Sequence, residues 1–238
     1  MGNIIYSYLL FLKSNIIMPK QYDDVVVINP DLTSKCTVIW LHGLGADGYD
    51  FTNIVAELNL PQELAVRFIF PHAPIRKITL NAGYKMRGWF DVYALSENAP
   101  QDENGMKEAL TILDQLVAKE IALGIPSEKI IIAGFSQGAT VALHAALSSN
   151  YKFAGILALS GFLLQKILPK QISALNKKTP ILMMHGEYDD LIPLTWALNA
   201  KDKLLELAFD VNFKIYATEH NVCAEEIMGI ADWIQNIF

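Results

Sequence analysis

The stretch IIIAGFSQGATVALHAAL, residues 130–147, decides the fold. Ile130–Ala133 is a wholly apolar, mostly β-branched run, as expected of a strand buried on both faces. Gln137–Leu147 is alanine-rich and carries a helical pattern. Between them stands Gly134-Phe135-Ser136-Gln137-Gly138, which matches G-x-S-x-G in the strand–turn–helix setting that motif requires. A join between strand and helix has no need of a hydroxyl. A sharp turn there strains the backbone at the serine, and flanking glycines let strand and helix approach without Cβ clashes. The serine Oγ then projects at the carboxyl edge of the sheet, where α/β ligands bind. The N-terminus of the following helix favours negative charge at the same spot. Ser136 therefore reads as a nucleophile.

Outward from this point the chain alternates strand-length and helix-length segments. Val25–Ile28, Cys36–Leu41, Val66–Phe70, Phe153–Leu159, Ile181–Met184 and Val211–Tyr216 read as further strands. Tyr49–Leu58, Glu103–Leu123, Leu194–Ala208 and Val222–Ile237 read as helices. This rhythm predicts an α/β fold, a mostly parallel doubly wound sheet flanked by helices, with the first strand antiparallel at one edge. No repeat or linker is visible, so one domain is expected over residues 21–238. Two segments break the rhythm. Residues 71–102 read as a long irregular loop with a function. Residues 160–179 carry an apolar cluster, Phe162, Leu163, Leu164, Ile167 and Leu168.

Composition narrows the function. The chain has 238 residues, 52% apolar and 18% charged, with a net charge of −6. No basic stripe is present to meet nucleic acid. Cys36 and Cys223 form neither a metal spacing nor a disulfide framework, which fits a reducing, cytoplasmic setting. No metal or organic cofactor is implied. The apolar run Ile4–Leu12 is too short to span a bilayer. It has no basic residues before it and no A-x-A-like site after it. A myristoylation signal needs Ser or Thr where Tyr6 stands. Residues 1–20 are thus expected to be a small extension, or the chain to start at Met18, without stable membrane insertion.

A serine hydroxyl needs a base. Among the five histidines, His144 lies on the helix after Ser136 and reads as core or helix surface. His42 and His185 end strands and read as turn supports, and His72 is a minor candidate. His220 follows the last strand in a loop that overhangs the carboxyl edge, and is the base by elimination. The carboxylate that orients it comes from His185-Gly186-Glu187-Tyr188-Asp189-Asp190-Leu191-Ile192-Pro193, which gives the order Ser, Asp, His. Spacing alone does not choose between Asp189 and Asp190. An oxyanion hole takes one N–H from Gln137, the residue after the nucleophile, and one from the glycine-rich loop Leu41–Gly48.

The segments HGLGADGYDF (42–51), FPHAPIRKITLNAGYKMRGWFDV (70–92), AGFSQGATVAL (133–143), LSGFL (159–163) and HGEYDDLIP (185–193) together resemble the carboxylesterase and acyl-protein thioesterase family of α/β-hydrolases. The resemblance spans residues 20–238. It implies Asp189 as the triad aspartate, His220 as the base, Leu44 and Gln137 as oxyanion donors, and Trp89 on the acyl side of the cleft. Glu219 stands where the family carries glycine, and Asp190 where proline is commoner. Glu219 either raises the pKa of the base or points to water.

The expected function is a serine hydrolase of carboxylic esters or thioesters of acyl chains. Leu163, Leu164, Ile167 and Leu168, with the 71–102 loop, would shelter the acyl tail, or else pack against the sheet. Alternatives are a lysophospholipase with the same triad and a non-catalytic acyl-binding protein. Dimers occur in the family, and a homodimer is a further expectation.

Overall fold

The computed structural model describes residues 25–29, 34–96 and 98–238. The expectations for residues 1–20, including the start at Met18, lie outside the described residues. In chain order the elements are β1 (Val25–Ile28), β2 (Cys36–Leu41), α1 (Ile54–Leu58), β3 (Val66–Pro71), β4 (Ile75–Ile78), β5 (Tyr84–Arg87), α2 (Glu103–Ala122), β6 (Ile130–Phe135), α3 (Gln137–Ser148), β7 (Gly155–Leu159), β8 (Ile181–Gly186), α4 (Leu194–Glu206), β9 (Val211–Tyr216) and α5 (Ala224–Ile237).

Seven strands form one sheet in the order β1-β3-β2-β6-β7-β8-β9. All pairs are parallel except β1 with β3, which is antiparallel at the edge. The central strands are buried along their length because each face meets a different core. Ile39, Ile130 and Ile132 face one core, shared with α2, α3 and α4. Val38, Trp40, Ile131 and Ala133 face the other, shared with α1 and α5. Such two-sided burial is why these strands read as continuous apolar runs. The edge strand β9, Val-Asn-Phe-Lys-Ile-Tyr, alternates instead, and is only partly covered. The carboxylate of Glu120, buried on α2, accepts a hydrogen bond from Thr37 Oγ1 at 2.7 Å and pairs with Arg67 Nε at 3.3 Å, tying that helix to β2 and β3.

Element ends shift by one or two residues in several places, and three differences from the sequence reading are larger or have a visible cause. The helix expected over Tyr49–Leu58 starts only at Ile54. The Asp47 carboxylate takes the Tyr49 amide at 2.8 Å, a local turn that competes with helix. β7 starts at Gly155 rather than Phe153, whose amide donates to Asn176 Oδ1 at 2.9 Å. Residues 71–102 are not irregular throughout. β4 and β5 pair as an antiparallel hairpin, Ile75 opposite Arg87 and Ile78 opposite Tyr84. The alternation in Tyr-Lys-Met-Arg, just after a turn with Gly83, was the available signal, whereas Ile-Arg-Lys-Ile does not alternate.

Candidate active site

Ser136 sits between β6 and α3 with φ 54° and ψ −115°, a left-handed region that ordinary side chains avoid. The strain is held from both sides. The Ser136 amide donates to the Leu159 carbonyl on β7 at 2.8 Å, and its carbonyl accepts from Thr140 N at 3.1 Å. A Cβ at position 134 would strike the backbone of Gly138, and one at 138 would strike the Leu41 carbonyl. The two glycines are thus required by close approach of α3 to β6 and β2.

His220 leaves the loop after β9 and places Nε2 3.0 Å from Ser136 Oγ. Its Nδ1 lies 2.6 Å from Asp189 Oδ2. A proton on Nδ1 facing the carboxylate leaves the Nε2 lone pair aimed at the serine hydroxyl. The imidazole is packed against the ring of Phe135, centroids 4.8 Å apart, and Phe135 in turn meets Phe51 at 5.4 Å. The variable position of G-x-S-x-G therefore braces the base, a role that nothing in the motif signals.

Of the two candidates the spacing left open, Asp189 is buried and faces His220, whereas Asp190 is exposed. Asp189 Oδ1 accepts from the amides of Leu191 at 3.1 Å and Ile192 at 2.8 Å. Burial pushes its pKa up, but the hydrogen bond from His220, the Ile192 amide and the neighbouring imidazoles outweigh burial, so the carboxyl sits below its ordinary value. The loop carrying Asp189 and the loop carrying His220 are joined by Glu187 N to Tyr216 O at 2.7 Å and Tyr188 N to Thr218 O at 3.0 Å. Gly186 lies under that junction. A Cβ there would collide with the carbonyls of Thr218 and Glu219. The Glu219 side chain is exposed to water.

Gln137 follows Ser136 in the chain, and Gly43, one residue before Leu44, lies beside it, since a Cβ there would be 3.6 Å from Ser136 Cβ. No backbone hydrogen bond among the described residues uses the N–H of Leu44 or Gln137. The loop between them is heavily braced. Gln137 Oε1 accepts from Trp89 N at 2.7 Å and Gln137 Nε2 donates to Phe90 O at 2.8 Å. Trp89 Nε1 donates to the His42 carbonyl at 2.9 Å. Nδ1 of His42 donates to Gly43 O at 2.7 Å and its Nε2 accepts from Ala73 N at 3.0 Å. Burial lowers the His42 pKa, in keeping with a neutral ring that both donates and accepts. Gly45 N donates to Arg87 O at 2.8 Å, so the hairpin also holds this loop.

Trp89 has 0% exposure, so it presents no surface to a cleft. Its indole holds the 42–48 loop through the His42 carbonyl, and the expected placement on the acyl side of a cleft is not what the structure shows. His72 accepts from Gly48 N at 2.9 Å. His144, fully buried, accepts from Leu164 N at 3.2 Å, and burial pushes it down to about 4. His185 lies beneath the Asp189 turn.

A cavity of about 610 Å³ opens beside the site, between residues 90–102, the segment 162–166 and α4. Phe90, Leu95, Leu163, Leu164 and Trp196 supply apolar wall. Its size falls within the ~300–1,000 Å³ of small-molecule pockets. The triad does not line it. Its link to Ser136 runs through Phe90, whose carbonyl Gln137 holds. Leu163 and Leu164 are in its wall, whereas Ile167 and Leu168 pack against the core and are not. Lys166 spans its mouth. Nζ donates to the carbonyls of Asn98 at 2.7 Å and Ala99 at 3.0 Å. Among the described residues no cluster of His, Cys, Asp or Glu is placed to hold a metal, and no helix is long and apolar enough to cross a membrane.

A serine on a strained elbow at the carboxyl edge of a doubly wound sheet, with a histidine and a buried carboxylate in reach, defines an α/β-hydrolase, a class that cleaves ester and thioester bonds. Comparison with known proteins narrows this. The chain belongs to the phospholipase/carboxylesterase family, whose profile matches residues 22–238. Acyl-protein thioesterase 1 of Schizosaccharomyces pombe is 39% identical over 221 residues, 89% of this chain and 95% of that protein. Acyl-protein thioesterase 1 of Neurospora crassa is 38% identical over 210 residues, 83% of this chain and 85% of that protein. Among solved structures, acyl-protein thioesterase 2 of Zea mays superposes with a TM-score of 0.79 at 29% identity, covering 90% of this chain and 98% of that one. SOBER1 of Arabidopsis thaliana gives 0.78 at 30% identity, covering 85% and 98%.

Proposed function

We propose that this hydrolase acts through Ser136, His220 and Asp189 on esters or thioesters of acyl chains, with the acyl thioester of an S-acylated protein as its substrate class. Ser136 Oγ attacks the acyl carbonyl while His220 Nε2 takes its proton. Negative charge on the tetrahedral oxygen is met by the N–H groups of Leu44 and Gln137, each such donor typically contributing about 10²–10³ in rate. His220 returns the proton to the leaving thiol or alcohol. Water, deprotonated by His220, then attacks the acyl-enzyme, and collapse of the second tetrahedral species releases the acid and regenerates Ser136. Asp189 holds the His220 tautomer and offsets the charge the ring acquires.

The observation that carries this reading is the single imidazole poised between Ser136 Oγ and Asp189 Oδ2, at 3.0 and 2.6 Å. The braced oxyanion loop supports it, because a preorganised donor needs no rearrangement as charge develops. The cavity beside Phe90 supports an acyl tail, each buried methylene contributing about 0.8 kcal/mol. The names of the fungal and maize relatives support the thioester. Two cysteines without a disulfide support a cytoplasmic setting.

A series of p-nitrophenyl esters from acetate to palmitate, with an S-palmitoylated peptide alongside, tests the reading on wild type and Ser136→Ala. Turnover and fluorophosphonate labelling are both expected to vanish in the variant. Turnover undiminished in Ser136→Ala would overturn the mechanism. A wild type that neither labels nor turns over any of these substrates would favour a binding protein.

A further inference from the structure

We propose that His185 is a positioning residue of the triad, a second imidazole that acts on His220 through Asp189. This rests on the assignment of Ser136, His220 and Asp189 as the working triad.

His185 ends β8, one residue before Gly186, and is fully buried. Its Nε2 lies 2.8 Å from the Ile192 carbonyl and 3.4 Å from Asp189 Oδ2, the same oxygen that faces His220. Both neighbours are acceptors, so Nε2 carries the hydrogen. Its Nδ1 is buried without a hydrogen-bond partner among the described residues. A second proton there would be an unsatisfied buried donor in a charged ring, which is costly, whereas a bare lone pair is tolerated. The ring is therefore neutral, its Nε2–H given to the Ile192 carbonyl with Asp189 Oδ2 at 3.4 Å from the same nitrogen. Burial lowers its pKa in the same sense. The ionisable groups that act on it are Asp189 and His220. Glu187, Asp190 and Glu219, the nearest carboxylates along the two loops, are exposed to water.

The triad carboxylate thus has donors on both oxygens. Oδ1 takes two backbone amides, and Oδ2 faces one imidazole that cycles its charge and one that does not. Two consequences follow. Holding Ile192 O and Oδ2 together fixes the 186–192 turn and so the direction from which His220 is gripped. The fixed N–H also takes up part of the carboxylate's charge, which moderates the pull of Asp189 on the proton of His220. Removing it leaves a stronger anion against His220, stabilises the imidazolium and raises the pH at which the base becomes active.

The test is the pH profile of kcat/KM with p-nitrophenyl butyrate, run on wild type, His185→Met, His185→Gln and Ser136→Ala. His185→Met removes the donor in an apolar side chain of adaptable shape. Its acid limb is expected to move up by about 0.5–1 pH unit, with kcat down about 10-fold and KM unchanged. His185→Gln keeps an N–H within reach of the same acceptors and is expected to hold the limb within about 0.2 units of wild type. A folded His185→Met whose limb does not move refutes the inference, as does a His185→Gln limb that moves as far as that of Met. Should neither variant fold, the ring nitrogens of the wild type decide by NMR. Neutral His185 with its proton on Nε2 at the pH of greatest activity is expected, and a proton on Nδ1 or a charged ring there refutes. Full activity in Ser136→Ala would instead sink the triad on which the inference stands.

Discussion

Gly186→Ala is the sharpest single perturbation of the site, because it adds one methyl group and touches no catalytic atom. Gly186 closes β8 and lies under the junction of the two loops that carry Asp189 and His220. The new Cβ would land inside contact distance of the Thr218 and Glu219 carbonyls, backbone atoms that no rotamer change can move. Relief to ordinary van der Waals separation displaces the His220 loop by roughly 1 Å, and a displacement of that size at a reacting group costs about 10²-fold. Glu187 N to Tyr216 O and Tyr188 N to Thr218 O resist the shift, so part of the strain remains as lost stability, about 1–3 kcal/mol for an overpacked site. The cavity beside Phe90 is walled by other segments, which places the loss in kcat and leaves KM as it is. Stopped-flow acylation with p-nitrophenyl butyrate, paired with thermal melts, reads both quantities. A folded Gly186→Ala enzyme whose acylation rate stays within about 3-fold of wild type would refute the steric argument.

Trp89→Phe keeps the buried ring but drops the N–H given to His42. Its kcat should fall about 10-fold, a fraction of a whole oxyanion donor, and affinity for a trifluoromethyl ketone should weaken in parallel; unchanged ketone affinity would show that the indole only packs. His144 stays neutral in the fold at pH values where the unfolded chain binds a proton. Stability should therefore decline as pH falls from about 6.5 toward 4, by on the order of 3 kcal/mol from this group. In urea melts, His144→Gln, which still accepts from Leu164 N, should flatten that decline, and an unaltered slope would assign it to other groups. Leu164→Trp fills the cavity and should cut p-nitrophenyl decanoate turnover about 10-fold while sparing acetate; equal losses on both esters would remove the acyl tail from that cavity.

Much of this architecture was legible before any coordinates. The seven strands of the main sheet announce themselves because the central ones are buried on both faces and are apolar along most of their length. Ser136 is legible because a serine between two glycines at a strand–helix turn answers to few other demands. His220 follows from topology, since only the loops at the carboxyl edge reach the nucleophile. What failed was set by partners distant in sequence. Trp89 reads as a cleft residue until its indole is seen to donate to a carbonyl at position 42. Asp189 and Asp190 differ by one step along a turn, and only the direction of that turn buries one and exposes the other. Gly186 has no special backbone angle to betray it; its reason lies in carbonyls of residues 218 and 219. The β4–β5 hairpin hid behind short strands with charged residues that lean into water.

The antiparallel edge strand also has a practical consequence. Val25 pairs with Pro71, at the carboxyl end of β3, so β1 begins at the rim where Ser136, Asp189 and His220 meet. Phe238 lies at the opposite rim, beneath the ammonium of Lys129 just ahead of β6. A surface or purification handle attached beyond Phe238 would leave the Ser136 rim facing solution.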